Sequence, residues 1–231
     1  MTVAQQALEM VRENTVIGLG TGRAATAFIR LLGDRVRSGF RIRGVATSER
    51  TADFAKELGI PLSDLEDVEN LETTFDGADA VDPRLDLIKG LGGALVREKI
   101  VAAASKRLVI LVGSEKVTDA LGHGYCKTLP IEVVPFGLPF VVRRLAHLGL
   151  VATVRRREDG DLFLTDNHNY TLDCDISASI DDPTRLEQTL RTIPGIVDSG
   201  LFLGMADTIL IQHDNGTVEA RHRDPAQTGP A

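Results

Sequence analysis

The feature that most constrains this chain is an alternation running from residue 15 to residue 112. Short apolar runs at residues 15–19, 42–46, 71–75 and 108–112 read as strands. Between them lie stretches with helical spacing. Ala25, Phe28, Ile29, Leu32 and Val36 form one stripe on a helix expected over about 24–36. Ser48 is placed to cap a helix over about 49–58, and Gly59 to end it. Another helix is expected to run to about residue 104, and a short one over 4–13 leads in. Strands that are largely apolar and alternate with helices predict a parallel sheet covered by helices on both faces.

The pattern changes near residue 126. Pro130, Pro135 and Pro139 punctuate a connection, and a helix follows over about 139–148. Strands are expected at 151–157, 161–165 and 170–176, with Asp159-Gly160 as a hairpin turn. Pro183 opens a helix to about 192, and Pro194-Gly195 turns into a strand near 196–199. This half reads as a small antiparallel α+β unit of the split βαβ, ferredoxin-like kind. The apolar run at 207–211 is expected to return to the first sheet. The tail from Arg221 is polar and holds two prolines and a glycine, so disorder is expected there. The expected division is residues 1–126 with 200–231, and residues 127–199.

Glycine-rich turns carry the chemistry. Residues 88–100 run from an apolar segment through Lys89 and the turn Gly90-Leu91-Gly92-Gly93 into a helix bearing Glu98 about one turn in. Glycines let a backbone approach a ligand closely, and the N–H groups at a helix start seat an anion or a cluster of hydroxyls. Lys89 supplies a fixed charge and Glu98 a candidate base, so the pattern predicts a small phosphorylated sugar as ligand. Gly18-Leu19-Gly20-Thr21-Gly22 likewise follows a strand and opens a helix, which favours phosphate binding; a plain tight turn also fits. It lacks the dinucleotide fingerprint, because Arg23 stands in place of the third glycine and no acidic residue ends the second strand. A cation in the first helical turn opposes the helix dipole unless an anion meets it, which makes Arg23 a candidate phosphate ligand. Asp76-Gly77-Ala78-Asp79 sits at a strand's C-terminal end, and its two carboxylates suit sugar hydroxyls, a metal, or a plain turn.

Composition narrows the classes. Net charge is −7 with scattered basic residues, and there is no Trp and only two Tyr, which argues against a nucleic-acid partner. No apolar run approaches about 18 residues, so no membrane span is expected. The first residues lack a basic-then-apolar leader, and Cys126 and Cys174 share no metal or redox spacing, so a cytoplasmic chain with free thiols is expected. The five histidines have no ligand spacing.

Taken together and in order, five segments resemble one family: Gly-Leu-Gly-Thr-Gly at 18–22, Asp-Gly-Ala-Asp at 76–79, Lys-Gly-Leu-Gly-Gly-Ala-Leu-Val-Arg-Glu-Lys at 89–99, Ser114-Glu115-Lys116, and Leu129-Pro130-Ile131-Glu132-Val133-Val134-Pro135. The chain resembles ribose-5-phosphate isomerase of the A type over nearly its whole length. The resemblance implies a Rossmann-like domain with an inserted smaller domain, assembled as a homodimer or homotetramer. It also implies a metal-free, cofactor-free isomerase that interconverts ribose 5-phosphate and ribulose 5-phosphate in the non-oxidative pentose phosphate pathway. Glu98 then matches the proton acceptor. Thr21, Gly22, Arg23, Ala24, Asp76, Gly77, Ala78, Asp79, Lys89, Gly90, Leu91, Gly92 and Lys116 match substrate-binding positions, with Asp76, Asp79 and Lys89 also serving catalysis. Arg23 and Ala24 stand where the family commonly has Ser-Thr, Leu91 where a glycine is usual, and Ala80 where a glutamate is usual. Two rivals suit a related scaffold. A deaminase, lactonase or CoA transferase is one, although no histidine lies in the motifs. The other is a sugar-phosphate sensor, which expects an attached DNA-binding segment, for which the stretch before the first strand leaves no room.

Overall fold

The structure, a computed structural model, describes residues 1–177 and 180–224. In chain order the strands are β1 (Val16–Leu19), β2 (Arg43–Ala46), β3 (Thr73–Asp76), β4 (Ala80–Val81), β5 (Leu87–Ile88), β6 (Leu108–Gly113), β7 (Thr128–Val133), β8 (Val151–Val154), β9 (Tyr170–Asp175), β10 (Ile196–Ser199), β11 (Leu201–Phe202), β12 (Thr208–Gln212) and β13 (Val218–His222). The helices are α1 (Val3–Glu9), α2 (Arg23–Arg37), α3 (Glu49–Glu57), α4 (Leu95–Ala103), α5 (Leu138–His147) and α6 (Pro183–Arg191). They form two compact units: Met1–Ala78 with Arg97–Glu115 and Gly204–Ala231, and Asp79–Val96 with Lys116–Leu203.

The first unit holds a six-stranded sheet in the order β13-β12-β6-β3-β1-β2. Its pairs are parallel except β12 with β13. Successive residues of a strand face opposite ways, and β1 uses both faces. Ile17 and Leu19 join Phe28, Ile29 and Leu32 of α2 and Ala4 and Ala7 of α1 in one core. Phe28 stacks on Phe75 at 4.5 Å, a contact worth about 1 kcal/mol beyond area burial. Gly18, between them, faces α4, where a Cβ would lie 1.9 Å from Thr74 Oγ1 and 2.7 Å from Val101 Cγ1. Val45, Leu71 and Val101 form the core on that side. Helices therefore cover both faces, as the apolar strands require. The run at 207–211 does return to this sheet, as β12 beside β6. The polar tail is a correction: Val218–His222 forms the edge strand β13, in which Arg221 and His222 pair with Ile209 and Thr208. An edge strand needs only backbone partners on one side, so polar side chains do not forbid it. Residues 225–231 lie outside the described residues.

The second unit contains a four-stranded sheet in the order β10-β7-β9-β8, with every neighbour antiparallel. The chain order β7-α5-β8-β9-α6-β10 with this arrangement is the ferredoxin-like βαββαβ pattern. Two strand expectations need correction. Residues 128–133, read as a proline-broken connection, are a central strand. Pro130 is tolerated because its carbonyl accepts from Gly200, just past the end of β10, on the side where no ladder N–H is required. Residues 161–165 make only isolated bridges, Arg156 with Leu162 and Leu164 with Tyr170. The expected turn at Asp159-Gly160 is present, with Gly160 at φ 88° and Arg157 N–H donating to Asp161 O at 2.8 Å. Beyond it, Thr165 Oγ1, Asn167 Nδ2 and Asn169 Nδ2 donate to the buried Glu132 Oε1 at 3.1, 3.0 and 2.8 Å, which draws the chain into a loop. A three-stranded antiparallel sheet, β11-β5-β4, completes this unit.

Cys126 and Cys174 are buried free thiols. Burial pushes the Cys126 thiol up, and burial followed by the neighbouring Asp173 charge pushes Cys174 up to about 12. Both thiols are expected to resist a disulfide-exchange reagent at neutral pH and to react fully in denaturant. A folded pKa above the unfolded value stabilises the fold below the unfolded pKa and is lost as pH rises through the folded one. Denaturation midpoints should therefore fall as pH is raised above about 9. Rapid labelling of Cys174 in the native protein would contradict this burial.

Candidate active site

In the first unit the chain runs from β1 to β2 on one side of β1 and then to β3 on the other. The loops after β1 and β3 thus flank a topological switch point at the C-terminal strand ends. The loop after β1 holds Gly20, Thr21 and Gly22, and α2 starts at Arg23. Only one of the three glycines in Gly18-Leu19-Gly20-Thr21-Gly22 is needed for its torsion: Gly22 has φ 113°. Gly20 instead makes room for the carboxylate of Asp76, where a Cβ would lie 2.2 Å from Oδ1 and 2.6 Å from the Asp76 Cα. Asp76 is fully buried, and its Oδ1 accepts the N–H groups of Thr21 at 3.0 Å and Gly77 at 2.7 Å. One carboxylate therefore holds both loops.

Thr21 has its N–H and its hydroxyl engaged within the protein. Its hydroxyl shares hydrogen bonds with Thr47 Oγ1 at 2.8 Å, Ser48 Oγ at 2.8 Å and Thr51 Oγ1 at 3.0 Å. The sequence carries no local signal for this hydroxyl cluster and shows Ser48 only as the cap of α3; Ser48 does cap that helix, accepting from Thr51 N–H at 3.1 Å. What the turn presents is the start of α2, with Gly22 as N-cap, no side-chain cap and no acidic residue in the first turn. Arg23 is exposed and Ala24 half-buried there. That combination leaves a helix N-terminus and a cation for an anion. In the same unit Gly77 and Ala78 follow Asp76, half-buried, and Glu98 occupies the first turn of α4 with only 4% of its surface exposed.

The second unit holds Asp79, Lys89, Gly90, Leu91, Gly92 and Lys116. Asp79 Oδ2 accepts the Leu91 N–H at 3.0 Å, and Asp79 N–H donates to Ile88 O at 2.8 Å, so this aspartate and the glycine turn are locked together. Gly90 at φ 103° and Gly93 at φ 84° are the two turn glycines that positive torsion requires. Lys89 is 2% exposed; its N–H donates to Gly200 O at 2.9 Å, and its ammonium lies 5.4 Å from the Phe202 ring centroid. Such a contact offsets part of the cost of burying an ammonium. Lys116 Nζ lies 4.3 Å from the Tyr125 ring centroid. Gly92 is exposed. Among the described residues no group of three or more His, Cys, Asp or Glu is placed to hold a metal, and no helix is long and apolar enough to cross a membrane.

A mostly parallel sheet whose switch point carries a helix start without a side-chain cap and a buried aspartate is an α/β arrangement that can seat a small anion. The family model for ribose 5-phosphate isomerase A (phosphoriboisomerase A) matches residues 43–216. Ribose-5-phosphate isomerase A of Parvibaculum lavamentivorans is 46% identical over 220 residues, covering 93% of this chain and 94% of that one. Ribose 5-phosphate isomerase from Plasmodium falciparum is similar in structure, with TM-score 0.91, 36% identity and coverage of 96% and 97% of the two chains. A D-ribose-5-phosphate isomerase in complex with phospho-erythronic acid gives TM-score 0.90, 36% identity and coverage of 95% and 96%. The chain belongs to the ribose 5-phosphate isomerase A family, and it is an isomerase.

Proposed function

We propose that the chain interconverts D-ribose 5-phosphate and D-ribulose 5-phosphate through an enediolate, with Glu98 taking the proton from C2 and returning it to C1. The observation that carries this reading is Glu98 itself: a buried carboxylate in the first turn of α4, directly after the Lys89–Gly93 turn, in a chain of this family. Isomerisation must move a carbon-bound proton and exchange a carbonyl with a hydroxyl. A positioned base serves the first need. Lys89 and the Gly92 N–H of the glycine turn serve the oxyanion that develops. Asp76 and Asp79 move protons between O1 and O2 or assist ring opening. The phosphate takes the Thr21–Ala24 turn, with Lys116 as a further cation, so that its binding energy orients the reacting carbons. The phospho-erythronic acid held by a relative is one carbon shorter than such an enediolate but likewise carries a phosphate at one end and an anionic oxygen group at the other.

The test is a coupled assay of the purified chain with ribose 5-phosphate, run with and without a chelator. Conversion that the chelator leaves unchanged is expected, and absence of conversion would overturn the reading. Arg23→Ala should raise KM for the sugar phosphate more than it lowers kcat. A charge-assisted contact is worth about 1.5–3 kcal/mol, or roughly ten- to hundredfold in KM. An unchanged KM would return Arg23 to the solvated surface.

A further inference from the structure

A guanidinium stands behind the glycine turn. Arg155 follows β8 in the second unit, and its side chain is 12% exposed. Nε donates to Asp173 Oδ2 at 2.9 Å and Nη2 to Asp173 Oδ1, a two-pronged pair that fixes the plane of the group. The remaining nitrogen, Nη1, donates to two successive carbonyls of the turn, Gly90 O at 3.1 Å and Leu91 O at 3.0 Å. The guanidinium carbon lies 5.7 Å from the Phe163 ring centroid. That ring fills the space beside Gly93, where a Cβ would lie 2.3 Å from the ring's Cζ. Phe163 N–H in turn donates to Arg155 O at 3.0 Å.

The consequence follows from peptide geometry. In a planar trans peptide the C=O and N–H point in opposite directions. Holding the Gly90 carbonyl on Arg155 turns the Leu91 N–H away from it, and that N–H meets Asp79 Oδ2 at 3.0 Å. Holding the Leu91 carbonyl likewise turns the Gly92 N–H away from Arg155. The positive charge of Arg155 is matched by Asp173, so its effect on a ligand is one of orientation rather than net charge. We infer that Arg155 is a positioning residue for the isomerisation. It aims the Leu91 and Gly92 N–H groups and, through the first of them, the Asp79 carboxylate. This rests on the reading that the Lys89–Gly92 turn serves the substrate.

The experiment compares wild type, Arg155→Met and Arg155→Lys. Each is assayed for kcat, KM, thermal midpoint, affinity for phospho-erythronic acid as enediolate mimic, and affinity for inorganic phosphate. In Arg155→Met, kcat and the affinity for the mimic should fall together by about ten- to hundredfold, because a small misplacement of catalytic groups has effects of this size. KM and phosphate affinity should stay near wild type, since the interaction lost is one made in the transition state. Arg155→Lys should recover less than half of the lost kcat. A single ammonium cannot keep the Asp173 pair and reach both carbonyls. A folded Arg155→Met variant with kcat within about twofold of wild type would overturn the inference. So would a loss of kcat matched by equal losses in KM and phosphate affinity, the mark of a general structural role. If Arg155→Met does not fold, Arg155→Lys decides by the same criteria, and failure of both to fold assigns Arg155 to stability alone and overturns the inference. Wild-type protein that does not convert ribose 5-phosphate refutes the functional reading instead, whereas active wild type with equally active variants refutes only the positioning role.

Discussion

Glu98→Gln is expected to fold as the wild type does and to lose about 10²–10⁴ of its turnover, the contribution typical of one positioned base. Glutamine keeps the length and shape of the side chain in a site that is 4% exposed, so packing changes little. Removing a negative charge from the first turn of α4 costs about 0.3–1 kcal/mol through the helix dipole, a small shift in thermal midpoint. What the amide lacks is a lone pair basic enough to accept a proton from carbon. The loss should therefore appear in kcat, with KM for ribose 5-phosphate nearly unchanged, since ground-state contacts persist. A second readout isolates the step. Wild-type enzyme in heavy water should exchange the transferred proton with solvent, and the variant should not. A folded Glu98→Gln protein that turns over at more than about a tenth of the wild-type rate removes the base from this position.

Gly20→Ala is expected to be the more damaging of the conservative changes. A Cβ there would meet Asp76 at 2.2 Å (Oδ1), 2.3 Å (Cγ) and 2.6 Å (Cα). The last is backbone, and the Gly20 N–H is already bonded to Phe75 O at 2.9 Å, so β1 and β3 cannot simply separate. Overpacking of this kind costs about 1–3 kcal/mol. At roughly 2–4 °C per kcal/mol for a chain of this size, the thermal midpoint should drop by several degrees. Activity should fall further than stability alone dictates. The methyl group pushes on the carboxylate that holds the Thr21 and Gly77 N–H groups, and displacements near 1 Å cost about a hundredfold. A variant with wild-type midpoint and wild-type kcat/KM would mean that Gly20 serves only as a flexible turn.

Local signals are legible in this sequence because they act over three or four residues. Ser48 capping α3, Gly59 in positive φ at its end, Pro183 opening α6 and the apolar stripe of α2 all declare themselves within one or two turns. Their alternation determines a covered parallel sheet, and the ordered glycine and aspartate motifs determine the family. Those conclusions need no knowledge of what lies across the sheet.

Other features depend on groups far apart in the chain, and only the tertiary structure decides them. Pro130 is a strand breaker until Gly200 meets its carbonyl at 2.7 Å. Gly18 looks like a gap in an apolar strand and Gly20 like a loop glycine until Thr74 and Asp76 are found filling the space beside them. Arg155 looks like one basic residue among three until it bonds carbonyls 65 and 64 positions earlier. The physical reason is common to all three: close approach and hydrogen bonding are properties of pairs, and a sequence records only one member of each pair at a time.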